Sequence, residues 1–226
     1  MNFVQISIDW FSQPEHWTGP SGVPVRLAEH AGYSGLALFL AALIAVPVGL
    51  VTGHTGRGGF TAASAANFAR ALPTMGVLFL VVLLAGIGLV PVMVALVALA
   101  VPPILVNTYE GVRGVEPRLR DAAVGMGMRG WEVLFRLELP VALPLVLLGV
   151  RTAAIQVVST ATIAAYVGIG GLGRFIVDGQ ARREFDMVIA GSILVVALAM
   201  VVIAASAIAR RTLVAPGLRV RQPSGT

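Results

Sequence analysis

The 226-residue chain is 57% hydrophobic and only 12% charged, against roughly 25% charged for soluble domains, so it reads as a protein that crosses a membrane several times. It has no cysteine, which excludes a disulfide framework and a thiolate metal site, and its three histidines (His16, His30 and His54) are too scattered for a metal-ligand motif. The net charge of +5 rests on arginine alone, and these arginines read as topology markers rather than as a nucleic-acid surface.

Residues 1–32 carry neither the basic n-region nor the long apolar h-region of a cleaved leader. They read as an extracytoplasmic or interfacial segment. Trp10, Phe11 and Trp17 suit the headgroup zone, and a short amphipathic helix is expected around Arg26 and His30. Spans are then predicted at about 33–51, 62–87, 90–107, 141–167 and 187–209, each close to the ~20 residues that cross a ~30 Å hydrocarbon core. Residues 71–109 hold no charge at all, too long a run for one crossing, and Gly86, Gly88 and Pro91 mark the turn that divides it. The expectation is an all-α polytopic membrane protein with a permease domain over 33–209 and a basic, disordered tail over 210–226.

Residues 121–140 are the least membrane-like stretch of the middle of the chain, with Asp121, Arg129, Glu132, Arg136 and Glu138 inside it. Gly125 and Gly127 weaken a first helix. Val133, Leu134 and Leu137 give a second, amphipathic piece, with Glu132, Arg136 and Glu138 largely off its apolar face, and Pro140 ends it. Arginine placement orients this loop. Arg57, Arg113, Arg118, Arg120, Arg129, Arg136, Arg210, Arg211, Arg219 and Arg221 fall on one side, against Arg26, Arg174, Arg182 and Arg183 on the other. The positive-inside rule puts the first set, and with it the loop 110–139 and the C-terminus, in the cytoplasm, and the N-terminus outside.

Polar groups inside spans are candidates for a translocation path: Asn67, Arg70 and Thr74 in the second span, and Arg151, Gln156, Thr160 and Thr162 in the fourth, with Glu110 as a candidate partner of Arg151. For Thr160 and Thr162, hydrogen bonding to the helix backbone is the plainer role. Aromatics well inside the spans are few, so tight recognition of a cation by an aromatic cage is not expected of this chain. The glycine-rich segment with Gly168, Gly170, Gly171 and Gly173 reads either as a gate or binding-protein contact or as a connector. No Gly-x4-Gly-Lys-Ser/Thr loop is present, and no His, Asp or Glu cluster lies within a span, so neither nucleotide hydrolysis nor membrane-embedded catalysis is expected.

Asp121-Ala122-Ala123, Gly127 and Leu137-Glu138-Leu139-Pro140 match in spacing the E-A-A-x3-G-x9-I-x-L-P motif of ABC importer permeases, with Asp for Glu and Leu for Ile. The chain resembles that family. The stretch Asn107-Thr108-Tyr109-Glu110-Gly111-Val112-Arg113-Gly114-Val115 is similar to permeases that import glycine betaine, carnitine or choline, as are Gly149-Val150-Arg151-Thr152-Ala153 and the segment from Gly168 to Gly173. Arg70 departs from that group, many members of which have Gln there. The resemblance implies the type I importer permease fold, with five transmembrane helices and a cytoplasmic coupling helix. Asp121, Ala122, Ala123, Gly125, Met126, Gly127, Met128, Leu137, Leu139 and Pro140 would form the surface that engages an ATPase dimer. It also implies a second permease subunit, identical or paralogous, and an extracytoplasmic solute-binding protein, with ATP and Mg on the ATPase and no cofactor on this chain. A related importer for methionine or a sulfonate is the alternative.

Overall fold

Where the chain runs apolar without charge, its backbone must satisfy its own polar groups, and it does so as helices. The computed structural model describes residues 3–59, 64, 73–215 and 217, and no β-strand occurs among them. The elements are α1 (Phe3–Ser12), a 3-10 turn (Pro14–Trp17), α2 (Val23–Thr55), α3 (Thr74–Ala85), α4 (Leu89–Arg113) and α5 (Pro117–Gly125). There follow α6 (Gly130–Val167), α7 (Gly173–Arg182) and α8 (Phe185–Leu213). Of these, α2, α4, α6 and α8 are each long and apolar enough to cross a membrane. The short apolar α3 covers only the end of the predicted second span, whose earlier part lies outside the described residues, as does most of the predicted tail.

Small residues let the long helices approach closely. On α2, Ala37, Ala41, Ala45, Gly49 and Gly53 recur every fourth position and are all buried. A Cβ at Gly49 would stand 2.7 Å from Thr108 Cβ, and one at Gly53 the same distance from Val112 Cβ, so α2 and α4 touch backbone to side chain. Gly149 of α6 is equally tight against α4, where an added Cβ would meet the Pro103 carbonyl at 2.7 Å. These contacts make α4 the centre of the bundle. They also fix directions: α2 and α4 run parallel, and α6 runs against both.

Two element boundaries and the placement of one aromatic differ from the sequence reading. The predicted amphipathic helix near His30 is no separate piece, since α2 runs unbroken for 33 residues, about 50 Å at ~1.5 Å per residue. Trp10 does not face headgroups. It is buried, stacked on His16 at 3.9 Å and edge-on to Phe175 at 5.6 Å, in a cluster with Val23, Leu172 and Ala190. Pro140 does not end a helix either. The ladder of α6 widens to π geometry over Leu134–Glu138, with Leu139 N–H bonding the Leu134 carbonyl, and this extra residue per turn carries the helix past a proline that lacks a donor. Between α3 and α4, Gly86 has φ +81°, and the predicted turn sits there.

Candidate functional site

Helix α5 begins with Pro117 at a position where a missing N–H costs nothing. It stops at a tight turn in which Gly127 has φ +89°, with bonds from Met126 N–H to the Ala122 carbonyl, from Gly127 N–H to Val124 and from Met128 N–H to Ala123. Helix α6 then starts, its first turn closed by Glu132, whose carboxylate accepts the Arg129 N–H at 2.9 Å. The product is a helix-turn-helix projecting from one end of the bundle. Its outer face is apolar where water would be expected: Met126 is 73% exposed, and Leu119, Val124, Trp131 and Phe135 are exposed with it. Asp121, Ala122, Gly125, Gly127 and Pro140 are exposed too, whereas Ala123 is buried and Met128, Leu137 and Leu139 are half-buried.

What holds this projection is Glu138. Its side chain is 1% exposed, with one carboxylate oxygen 2.6 Å from Arg120 Nε of α5 and the other 2.5 Å from His54 Nδ1 of α2. The Arg120 Nε contact is an ion pair rather than an aligned hydrogen bond, while Arg120 Nη2 donates to the Val112 carbonyl at 2.5 Å. A buried carboxylate survives only when paired and bonded in this way. One residue therefore ties the last turn of α2, the end of α4, helix α5 and the start of α6. The sequence reading placed Glu138 off the packed face, but the structure buries it. Followed back from the span, the buried positions Val157, Ala153, Gly149, Val146 and Ala142 of α6 arrive at Glu138 with helical spacing.

At the opposite end, the glycine segment is packed against α2. Gly171 (φ +96°) donates its N–H to Glu29 at 2.7 Å, and Glu29 also pairs with Arg26 at 3.0 Å. A Cβ on Gly170 would overlap the Glu29 carboxylate, and one on Gly173 the Thr162 carbonyl. Gly168 (φ +76°) closes the 3-10 stretch that ends α6. Buried His30 bonds the Val158 carbonyl at 2.8 Å through Nε2, joining α2 to α6 just beneath.

Among the described residues, the intramembrane polar candidates do not converge. Asn67 and Arg70 lie outside the described residues. Thr74 is half-buried at the start of α3, Gln156 is exposed, Thr160 is half-buried, and Thr162 spends its hydroxyl on the Ser159 carbonyl. Arg151 faces α8 rather than α4, and Glu110 makes no ion pair with it.

Residues 45–220 match the family model of the binding-protein-dependent transport system inner membrane component. The chain belongs to that family. Among relatives, this family member is 34% identical over 194 residues to the glycine betaine/carnitine/choline transport system permease protein OpuCB of Bacillus subtilis, covering 86% of this chain and 89% of that one. It is 37% identical to the choline transport system permease protein OpuBB of the same organism, over 84% and 88% of the two chains. It is 32% identical to the osmoprotectant import permease protein OsmW of Salmonella typhimurium, over 76% and 83%. In fold it matches a chain of the MetNI methionine ABC transporter in an inward-facing form, with TM-score 0.75 and 22% identity over 90% of this chain and 99% of that one. The protein is thus a multi-pass transport component of the cell membrane.

Proposed function

We propose that this chain is the membrane-spanning subunit of an ATP-driven importer for osmoprotectants of the glycine betaine, carnitine and choline type. In this reading α3 and the residues before it complete a fifth span of the type I permease fold. The N-terminus lies outside, and the loop 110–139 and the C-terminus lie in the cytoplasm. The exposed ridge of Met126, Trp131 and Phe135 docks in an ATPase subunit that holds ATP and Mg. The chain pairs with a second permease, identical or paralogous, and receives solute at its other end, beside Gly168, Gly170, Gly171 and Gly173, from a binding protein. Asn67, Arg70, Thr74, Gln156, Thr160 and Thr162 are assigned to the path by their place in the spans.

The observation that carries this reading is an apolar ridge exposed on a projection that buried Glu138, with His54 and Arg120, ties to α2 and the end of α4. Exposed large apolar groups clustered around small residues suit a protein partner, and aromatic anchors of this kind commonly dominate such contacts. The test is co-purification of the tagged chain with its ATPase, comparing wild type with Trp131→Ala and Met126→Ala. A loss of about tenfold in ATPase affinity per anchor is expected, equivalent to ~1.4 kcal/mol. Unchanged affinity in both variants would remove the docking assignment. Solute choice is read separately, by ATPase stimulation of the reconstituted complex across betaine, choline, carnitine, proline and methionine. Stimulation by methionine alone would overturn the osmoprotectant reading and leave the docking surface intact.

A further inference from the structure

Two guanidinium groups line a single groove between α6 and α8. The groove encloses about 200 Å³, and its walls include Leu147, Leu148, Arg151, Ser206, Ala207 and Arg210. Neither Arg151 nor Arg210 forms an ion pair among the described residues. Ser206 has already committed its proton to the Val202 carbonyl at 2.7 Å, so only its oxygen faces outward. The groove therefore holds two fixed positive charges, apolar walls and no anion.

Depth sharpens the point. Arg151 lies roughly 18 Å along α6 from Leu139 at ~1.5 Å per residue, well inside a span, and arginine cannot shed its proton there. A guanidinium at such depth is costly unless it finds an anion or reaches toward the interface. Helix α8 runs opposite to α6, so Arg210, in its last turns, sits toward the interface while Ser206 lies one turn deeper beside Arg151. This is the end of the bundle where the arginines gather, and the leaflet there carries anionic headgroups.

We propose that this groove binds an anionic phospholipid, its phosphate held between Arg151 and Arg210 and an acyl chain lying against Leu147 and Leu148. Guanidinium forks match phosphate oxygens two at a time, and the apolar wall distinguishes a lipid from a free anion. Arg151 is then a lipid ligand rather than part of the solute path. The assignment rests on α6 and α8 spanning the membrane with their arginine-rich end in the cytoplasmic leaflet, and it is independent of which solute is carried and of ATPase docking.

The test uses the purified complex, delipidated in detergent and offered phosphatidylglycerol, phosphatidylcholine or inorganic phosphate, with retained lipid counted by native mass spectrometry. Wild type is expected to keep phosphatidylglycerol at least tenfold more tightly than phosphatidylcholine. Arg151→Gln/Arg210→Gln should lose that preference, while Arg211→Gln, next in sequence but outside the groove, keeps it. If the double variant does not fold, Arg210→Gln alone, at the helix end, supplies the comparison. Equal retention of both lipids, an unaffected double variant, or full displacement by millimolar phosphate would each overturn the proposal. So would a disulfide between two copies of a Ser206→Cys variant of this cysteine-free chain, which would show a second permease covering the groove.

Discussion

His54 Nδ1 lies 2.5 Å from the Glu138 carboxylate, a contact that closes 84 residues of chain. It joins the last turn of α2 to the π segment of α6, at the point where the projecting helix-turn-helix meets the bundle. Arg120 adds the third corner from α5. A displacement of the projection must move these three side chains together, because parting either contact strips buried Glu138 of one of its two partners. In the proposed function this cluster is the joint between the ATPase-docking ridge and the spans.

Glu138→Gln keeps the side-chain volume and removes the charge. Breaking a buried pair costs about 3–5 kcal/mol, and the lower end applies because His54 and Arg120 keep 27% and 26% of their side-chain surface exposed. Thermal unfolding of the purified complex should fall by several degrees. The ratio of ATP hydrolysed to solute moved should rise, since the joint no longer transmits. Replacing Glu138, His54 and Arg120 together by apolar residues should recover the melting temperature but not the ratio. A wild-type ratio in that triple variant would show the cluster to be only structural.

The turn between α5 and α6 separates two glycines by conformation. Gly127 has φ +89° with nothing within 4 Å of an added Cβ, so the obstacle to substitution is backbone strain alone. Gly127→Ala should cost about 1–2 kcal/mol. Gly125 has equal space and an ordinary helical conformation, so Gly125→Ala should be neutral or slightly stabilising. Paired melting curves decide it, and equal effects at the two positions would contradict the assigned turn. Gly127→Asp should in addition uncouple hydrolysis from uptake.

Much of this was legible in the residues. The apolar runs announced α2, α4, α6 and α8 because composition alone satisfies the length a bilayer demands, and Gly86 announced its turn because few other residues tolerate positive φ. At Gly127 the sequence showed only a weakened helix, shared with Gly125, and the structure shows which of the two makes the turn. Glu138 was not, because its burial depends on His54 and Arg120 arriving from distant segments, and a loop carboxylate is ordinarily solvated. Trp10 misled in the same way: an aromatic that suits headgroups also suits a cluster with Phe175 and Leu172. Arg151 was visible as an intramembrane charge, but only the packing of α8 showed which way it faces.

At the far end of the bundle, Gly170 and Glu29 occupy overlapping space. The Glu29 carboxylate sits where a Gly170 side chain would be, held there by the Gly171 N–H and by Arg26. Gly170→Ala should therefore act by expelling Glu29, and Glu29→Ala by removing it, each losing a charge-assisted hydrogen bond of about 1.5–3 kcal/mol, less some relief by solvent. Because both routes end in the same loss, the double variant should be no less stable than the worse single one. The coupling read from the cycle of melting temperatures should fall in the range of about 0.5–3 kcal/mol found for residues in contact. Additive losses would mean that Gly170 is small for some other reason, and that the glycine segment is not latched to α2 through Glu29.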